Sequence, residues 1–180
     1  MKALLMFLIL IPTLLFSQQK ANVIELAGKN SAELYSNAKE WLVLNPKSGN
    51  LFIQIDNPND QKIIGTGVKR IAFPIKKYHT FIDVNYAIAL HFRDAILEYS
   101  IYVKSVKYED GFEISYDDFK SITTKKGWKT YLAKTNIKPV FNKKIITEGN
   151  RNAYSLLKKD LDGLISELTT YLRKGNQINW

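Results

Sequence analysis

The sequence contains no cysteine. That excludes disulfide staples, and it excludes a lipid anchor on a leader cysteine. Histidine occurs only twice, at His79 and His91. With no helical histidine pair and no tight Asp/His grouping, neither structural zinc nor another metal is expected. A Ser-His-Asp site would have to use one of these two imidazoles, and the chain has no Gly-x-Ser-x-Gly elbow. Dense glycine occurs only at Gly65-Thr66-Gly67. It lacks the third glycine of a dinucleotide fingerprint and the Gly-Lys-Ser/Thr of a P-loop, so no cofactor is expected. On a strand, two such glycines mark a bulge or a close backbone approach. No repeat of solenoid or propeller period is present.

What remains is an ordinary globular composition. Of 180 residues, 46% are apolar and 24% charged, which fits one compact domain. The start is different. Met1-Lys2 is followed by an apolar run from Ala3 to Phe16, interrupted only by Pro12 and Thr13. Ser17 is small, and Gln18-Gln19 opens the polar part. These are the positive, apolar and cleavage regions of a signal peptide, predicted to be cut near Ser17. The run falls short of the ~20 residues that span a bilayer, and no second run of that length follows. The expectation is an exported protein, periplasmic or secreted. Its leader is 1–17, its single domain 18–180, and the mature chain has no transmembrane helix.

Within 18–180 the pattern gives an element order. Val23 to Leu26 reads as a short strand. Asn30 can cap a helix, with Glu33 three residues on. Leu34, Ala38, Trp41 and Leu42 then form one apolar stripe, and Asn45-Pro46 stops it. Strands follow at Leu51–Ile55 and Lys62–Lys69, and Phe73-Pro74 is expected to break the pattern. From Ile82 to Phe92 alternation is nearly strict, with Ile82, Val84, Tyr86, Ile88, Leu90 and Phe92 on one side. Leu97 to Tyr108 pairs with it across a tight turn at Arg93-Asp94-Ala95. His79 falls in a predicted loop, and His91 on the polar side of the long strand. Residues 109–118 read as a loop or short strand, and 119–147 as a basic connecting segment with one or two helical turns near Trp128, Tyr131 and Leu132. A last helix spans 150–174, with Leu157, Leu161, Leu164, Ile165, Leu168 and Leu172 at three and four and Gly175 as its stop. A meander with one apolar face needs cover, and the two amphipathic helices supply it. The fold class is therefore α+β, a β-α-β4-α two-layer sandwich whose antiparallel sheet is covered by two helices.

The region 31–108 resembles a domain-of-unknown-function family with a TATA-binding-protein-like (TBP-like) fold, common in exported proteins of Gram-negative bacteria. The matching pieces are the Ala32 to Trp41 helix, the Lys62-Ile63-Ile64-Gly65-Thr66-Gly67-Val68 strand and the Phe92 to Tyr99 hairpin. In that hairpin Arg93 stands for the family's lysine, Asp94 matches, and Ala95 replaces glycine. Ile96 and Glu98 replace arginines. Because alanine disfavours positive φ, Ala95 implies a turn of different backbone conformation. The resemblance implies the fold and no assigned activity.

Charge points further. The chain carries a formal +9, yet no acid occurs from Lys120 to Thr147. Lys125, Lys126, Lys129, Lys134, Lys138, Lys143 and Lys144 lie there, with Trp128 and Tyr131 among them. Lysines attract phosphate or carboxylate loosely, and interleaved aromatics could stack on sugar or wedge into an interface. These nine residues are the candidate binding site of a non-enzymatic domain. Its partner would be an envelope protein, an acidic glycan or an anionic lipid headgroup, and nucleic acid is not expected for an exported chain. The alternative for the segment is a solubilising face with its aromatics in the core, partly neutralised by the acids before it. Those acids, Glu109, Asp110, Glu113, Asp117 and Asp118, suggest the second functional reading, a carboxylate-based hydrolase of envelope material.

Overall fold

The computed structural model describes residues 21–45, 51–75, 78–135 and 143–174. The candidate leader 1–17, Lys138 and Gly175 lie outside the described residues. The first helix, α1 (Ser31–Leu44), starts where the sequence places it. Asn30 is extended, and its side chain accepts the Glu33 N–H at 2.8 Å. The Glu33 carboxylate does not complete the capping box but pairs with Lys29 at 2.5 Å. Leu34, Ala38, Trp41 and Leu42 are buried as one stripe. The helix ends at Asn45, whose N–H donates to the Trp41 carbonyl at 2.9 Å.

Six strands form one antiparallel sheet: β1 (Asn22–Glu25), β2 (Phe52–Asn57), β3 (Lys62–Ile75), β4 (Tyr78–Arg93), β5 (Ile96–Tyr108) and β6 (Glu113–Ser115). The order is β1-β5-β4-β3-β2, with β6 also beside β5. The expected meander is thus β2 to β5. Its far edge is covered at one end by β1 and at the other by β6. Gly65 and Gly67 mark close approaches. A Cβ on Gly65 would strike the Leu51 side chain, and one on Gly67 would sit 3.1 Å from the Tyr86 ring. The β2–β3 register shifts between Ile53 and Ile55, beside Gly65.

Three local expectations are corrected. Phe73-Pro74 does not break β3, which continues to Ile75. β2 pairs only with Lys62 to Thr66, so β3 is itself an edge near Pro74, where a residue without an N–H is tolerated. His79 consequently lies in β4, opposite Pro74, and not in a loop. Ala95 does adopt the left-handed conformation, at φ 58°. Two backbone hydrogen bonds hold it there: its N–H donates to the Lys29 carbonyl and its carbonyl accepts from Leu26, each at 2.8 Å. Asp94 adds a third tie by accepting the Ser31 N–H at 2.8 Å. The β1–α1 connection therefore clamps the β4–β5 turn.

After β6 come α2 (Tyr116–Ile122), α3 (Lys125–Thr135) and α4 (Lys143–Lys174). The last helix begins at Lys143, earlier than the expected 150, because residues 143–152 carry too few apolar side chains to show the period. Helices α1 and α4 lie on the same side of the sheet. Ile63, Ile82, Val84, Ile88, Leu90, Phe92 and Leu97 of the sheet are sealed into one core with Leu34, Ala38, Leu157, Leu168 and Leu172 of these helices. Each fully buried aliphatic or Phe side chain contributes roughly 1.5–3 kcal/mol. Gly149 lets α4 cross the end of β3 closely, since a Cβ there would sit 3.0 Å from Ile75. Beside it the buried Asn150 accepts from the Tyr108 hydroxyl at 2.9 Å, tying helix to sheet.

Candidate functional site

The lysine-rich segment folds into a helical corner. Ser115 caps α2 by accepting the Asp118 N–H at 3.2 Å. Thr124 does the same for α3, accepting the Gly127 N–H at 3.0 Å. Helices α2 and α3 touch at Gly127, where a Cβ would overlap the Ser121 carbonyl oxygen. Arg151 of α4 reaches the Thr123 carbonyl at 3.5 Å, and Tyr154 stacks on Tyr116 with centroids 6.3 Å apart. The α2–α3 pair is thereby fixed to the first third of α4.

This packing divides the nine predicted site residues. Trp128 and Tyr131 lie on the inner face of α3, each only 7% exposed, with rings stacked at 6.1 Å and 21°. They are core residues, and the expectation that they line a contact surface is corrected. The reason is spacing: positions three apart share a helix face, and here that face meets the core. Burial pushes the Tyr131 hydroxyl upward, with Asp118 adding to the shift. Lys126 and Lys129 lie away from that face, Lys125 opens the helix at its flank, and all three are exposed. Lys134, at the flank, reaches Asp118 at 3.7 Å, so the acidic stretch neutralises one lysine of the set. Lys143 and Lys144 are exposed at the start of α4. Neither α3 nor α4 has an acid in its first turn. Positive partial charge at both helix starts therefore adds to the lysines instead of being offset by carboxylates.

The second surface escaped sequence reasoning. Cross-strand partners share a face, so the register lays out the sheet side that none of the described helices covers. One row there is Phe52, Thr66, Ala87 and Tyr102, and the next is Ile55, Ile64, Ala89 and Ser100. Val68 follows beyond them, across from Asn85. Phe52 is 67% exposed, Tyr102 56%, Ile55 48% and Val68 46%. The signal for this stripe was the pairing of apolar residues on polar-side positions of adjacent strands, which becomes visible only once the register is known. Polar rows bound the stripe. At one end Lys62, His91 and Glu98 lie side by side, with His91 Nδ1 3.1 Å from Glu98. At the other, Arg70 grips Asp83 with two hydrogen bonds of 2.7 and 2.8 Å and lies over the Phe81 ring at 4.0 Å. Lys107 and Glu113 complete that row.

Other polar clusters are structural in their contacts. Asp56 is held by Lys39 and by the Tyr35 hydroxyl. Lys39 first, then Tyr35, lowers its carboxyl below the ordinary value, while burial pushes the Tyr35 hydroxyl up to about 12. A small cleft between Lys69, Tyr86, Asp160, Leu161 and Leu164 has room for about one water molecule. Among the described residues no cluster of three or more His, Asp or Glu is arranged to hold a metal.

Residues 21–109 match the model of a family described as a domain of unknown function (DUF4468) with TBP-like fold. The resemblance read from 31–108 therefore holds, and it reaches back to include β1. Two crystal structures share the fold over most of this chain. One is a DUF4468 family protein from Bacteroides ovatus, 15% identical, with a TM-score of 0.58 over 83% of this chain and 84% of that one. The other is a TBP-like protein from Parabacteroides distasonis, 11% identical, with a TM-score of 0.52 over 87% of this chain and 92% of that one. At these identities the likeness is one of fold. No curated protein matches the sequence.

Proposed function

We propose that the protein is an exported, non-enzymatic binding domain that holds an anionic component of the cell envelope against the lysines of α3 and the start of α4. The shared chemistry is negative charge, whether on an acidic glycan, a lipid headgroup or an acidic protein face. The observation that carries this reading is the division of α3. Its aromatics are spent on the core, while Lys125, Lys126 and Lys129 project outward from a helix start with no acid. Lys143 and Lys144 repeat the arrangement at the start of α4. The contact is therefore electrostatic and not a stacking platform. The leader-like first 17 residues support export. A nucleic-acid reader on the sheet would need cations to neutralise phosphates. The open face instead carries Lys62, Arg70, Arg93 and Lys107 against Glu25, Asp83, Glu98 and Glu113. For the hydrolase alternative, Asp118 is already engaged by Ser115 and Lys134.

The test is retention of envelope extract on the immobilised protein at low and high salt. Wild type should hold an anionic partner that is lost above about 0.5 M salt, where screening lengths shrink to a few ångströms. Lys125→Glu, Lys126→Glu and Lys129→Glu combined should abolish retention without changing the fold. Equal retention by wild type and the triple variant would refute the reading.

A further inference from the structure

We infer that the open face of the sheet is where a second copy of this chain docks, sheet against sheet. Phe52, Ile55, Ile64, Val68 and Tyr102 form its centre. Charge argues for a second copy. The chain carries +9, and the helix corner carries much of it. Two such molecules repel unless they meet on a neutral side. The ladder register gives this side Lys62, Arg70, Arg93 and Lys107 against Glu25, Asp83, Glu98 and Glu113, which balance. The signs also alternate from strand to strand. Arg70 on β3, Asp83 on β4, Lys107 on β5 and Glu113 on β6 read plus, minus, plus, minus along one row. A two-fold axis along the strands, between β3 and β4, sets each Arg70 opposite the other copy's Asp83. The Arg70–Asp83 pair is self-complementary about that axis, as an isologous interface requires.

Area agrees. At ~3.3 Å per residue and ~4.8 Å between strands, the six strands together give the face about 900 Å². A standard stable interface uses about 800 Å² per partner. The alanines at 87 and 89 keep the central strand low between the bulkier side chains on its neighbours. Aligned packing of two such sheets would bury the stripe, and both helix layers would face outward. The exposed lysines of α3 would then stay outside the interface in both copies.

Sedimentation equilibrium tests this on protein recovered from cells expressing the full chain. Wild type should form a dimer across 1–100 μM, concentrations of the order at which micromolar interfaces assemble. Tyr102→Glu should raise the dimer Kd at least tenfold, and Val68→Glu should do the same from β3. Both side chains are about half exposed, so far-UV spectra should stay near wild type and melting should match that of wild type diluted to monomer. Lys125→Glu, Lys126→Glu and Lys129→Glu combined should leave the dimer intact, which separates this interface from the lysine contact. A wild type that stays monomeric to 100 μM overturns the inference. So does a dimer lost with Phe52→Glu but kept with Tyr102→Glu, because that pattern belongs to pairing along the β2 edge, three strands from Tyr102.

Discussion

The two sides of this domain treat aromatic residues in opposite ways. On the helix side, Trp128 and Tyr131 sit in a lysine-rich stretch yet are buried and stacked. On the strand side, Phe52 and Tyr102 sit in ordinary alternating strands yet stand more than half exposed. Neighbours in sequence therefore misreport both. A lysine next to an aromatic says little about the aromatic when the two are on opposite sides of one helix. An apolar residue in a strand is not thereby core when it points to the sheet side away from the described helices. The α2–α3 corner presents lysines with its aromatics buried, and the strand side presents an apolar stripe framed by charges of both signs.

The largest expected effect breaks this comparison if it fails. Trp128→Ala should destabilise the fold by about 3–5 kcal/mol, the usual range for truncating a buried aromatic. Tyr102→Ala should fall within about 0.5 kcal/mol of wild type when measured on the monomer. Urea denaturation of both variants checks the pair. Trp128→Phe sharpens the result. The Trp128 Nε1 is buried without an acceptor among the described residues, so losing that N–H forfeits no protein hydrogen bond. Its cost should be well below that of the alanine variant. Equal stability losses for Trp128→Ala and Tyr102→Ala would mean that the two sides are not distinct.

Legibility in the sequence followed the range of the interactions involved. The α1 boundary rests on Asn30 and a stripe within 14 residues, and it could be read directly. The meander could be read because strict alternation from Ile82 to Phe92 fixes which side is inward. β1 was visible as a strand, but its place beside β5 depends on partners more than 70 residues away. The helical corner was legible only in part. Its caps, Ser115 with Asp118 and Thr124 with Gly127, are local signals that could have located both helix starts. The candidate lysines could be read as a set, but their aromatics could not be assigned to core or surface without the fold.

Ala95 is the sharpest case of a local preference overruled, and it gives the next prediction. Left-handed backbone costs a non-glycine residue roughly 1–2 kcal/mol. The Lys29 carbonyl and the Leu26 N–H hold it there regardless. Ala95→Gly should therefore raise stability by up to about 1 kcal/mol, less than the full strain because glycine loosens the unfolded chain. A denaturation midpoint that moves up with an unchanged slope checks it. A destabilised Ala95→Gly would mean the clamp stores no strain, and that the β1–α1 connection does not dictate the turn.

The smallest effect tests the polar frame of the open face. Arg70 beside Asp83 holds its carboxyl below the ordinary value of 3.8, against a weaker upward push from burial. In the unfolded chain the same group titrates near 3.9. The folded state thus binds this proton less readily, and stability from the pair is complete above about pH 5. It is lost as pH falls through the depressed folded value. Asp83→Asn should leave the slope of stability between pH 7 and 5 unchanged and flatten it below pH 4. The pair is partly exposed, and such pairs contribute at most about 1 kcal/mol, so the change in the acid limb should stay within that. Asp56 follows the same sign on the covered side, where Lys39 and Tyr35 hold it. An acid limb unchanged in Asp83→Asn but flattened in Asp56→Asn would put the acid sensitivity on the helix side. Arg70 and Asp83 would then be left to the role the interface gives them, matching a second copy.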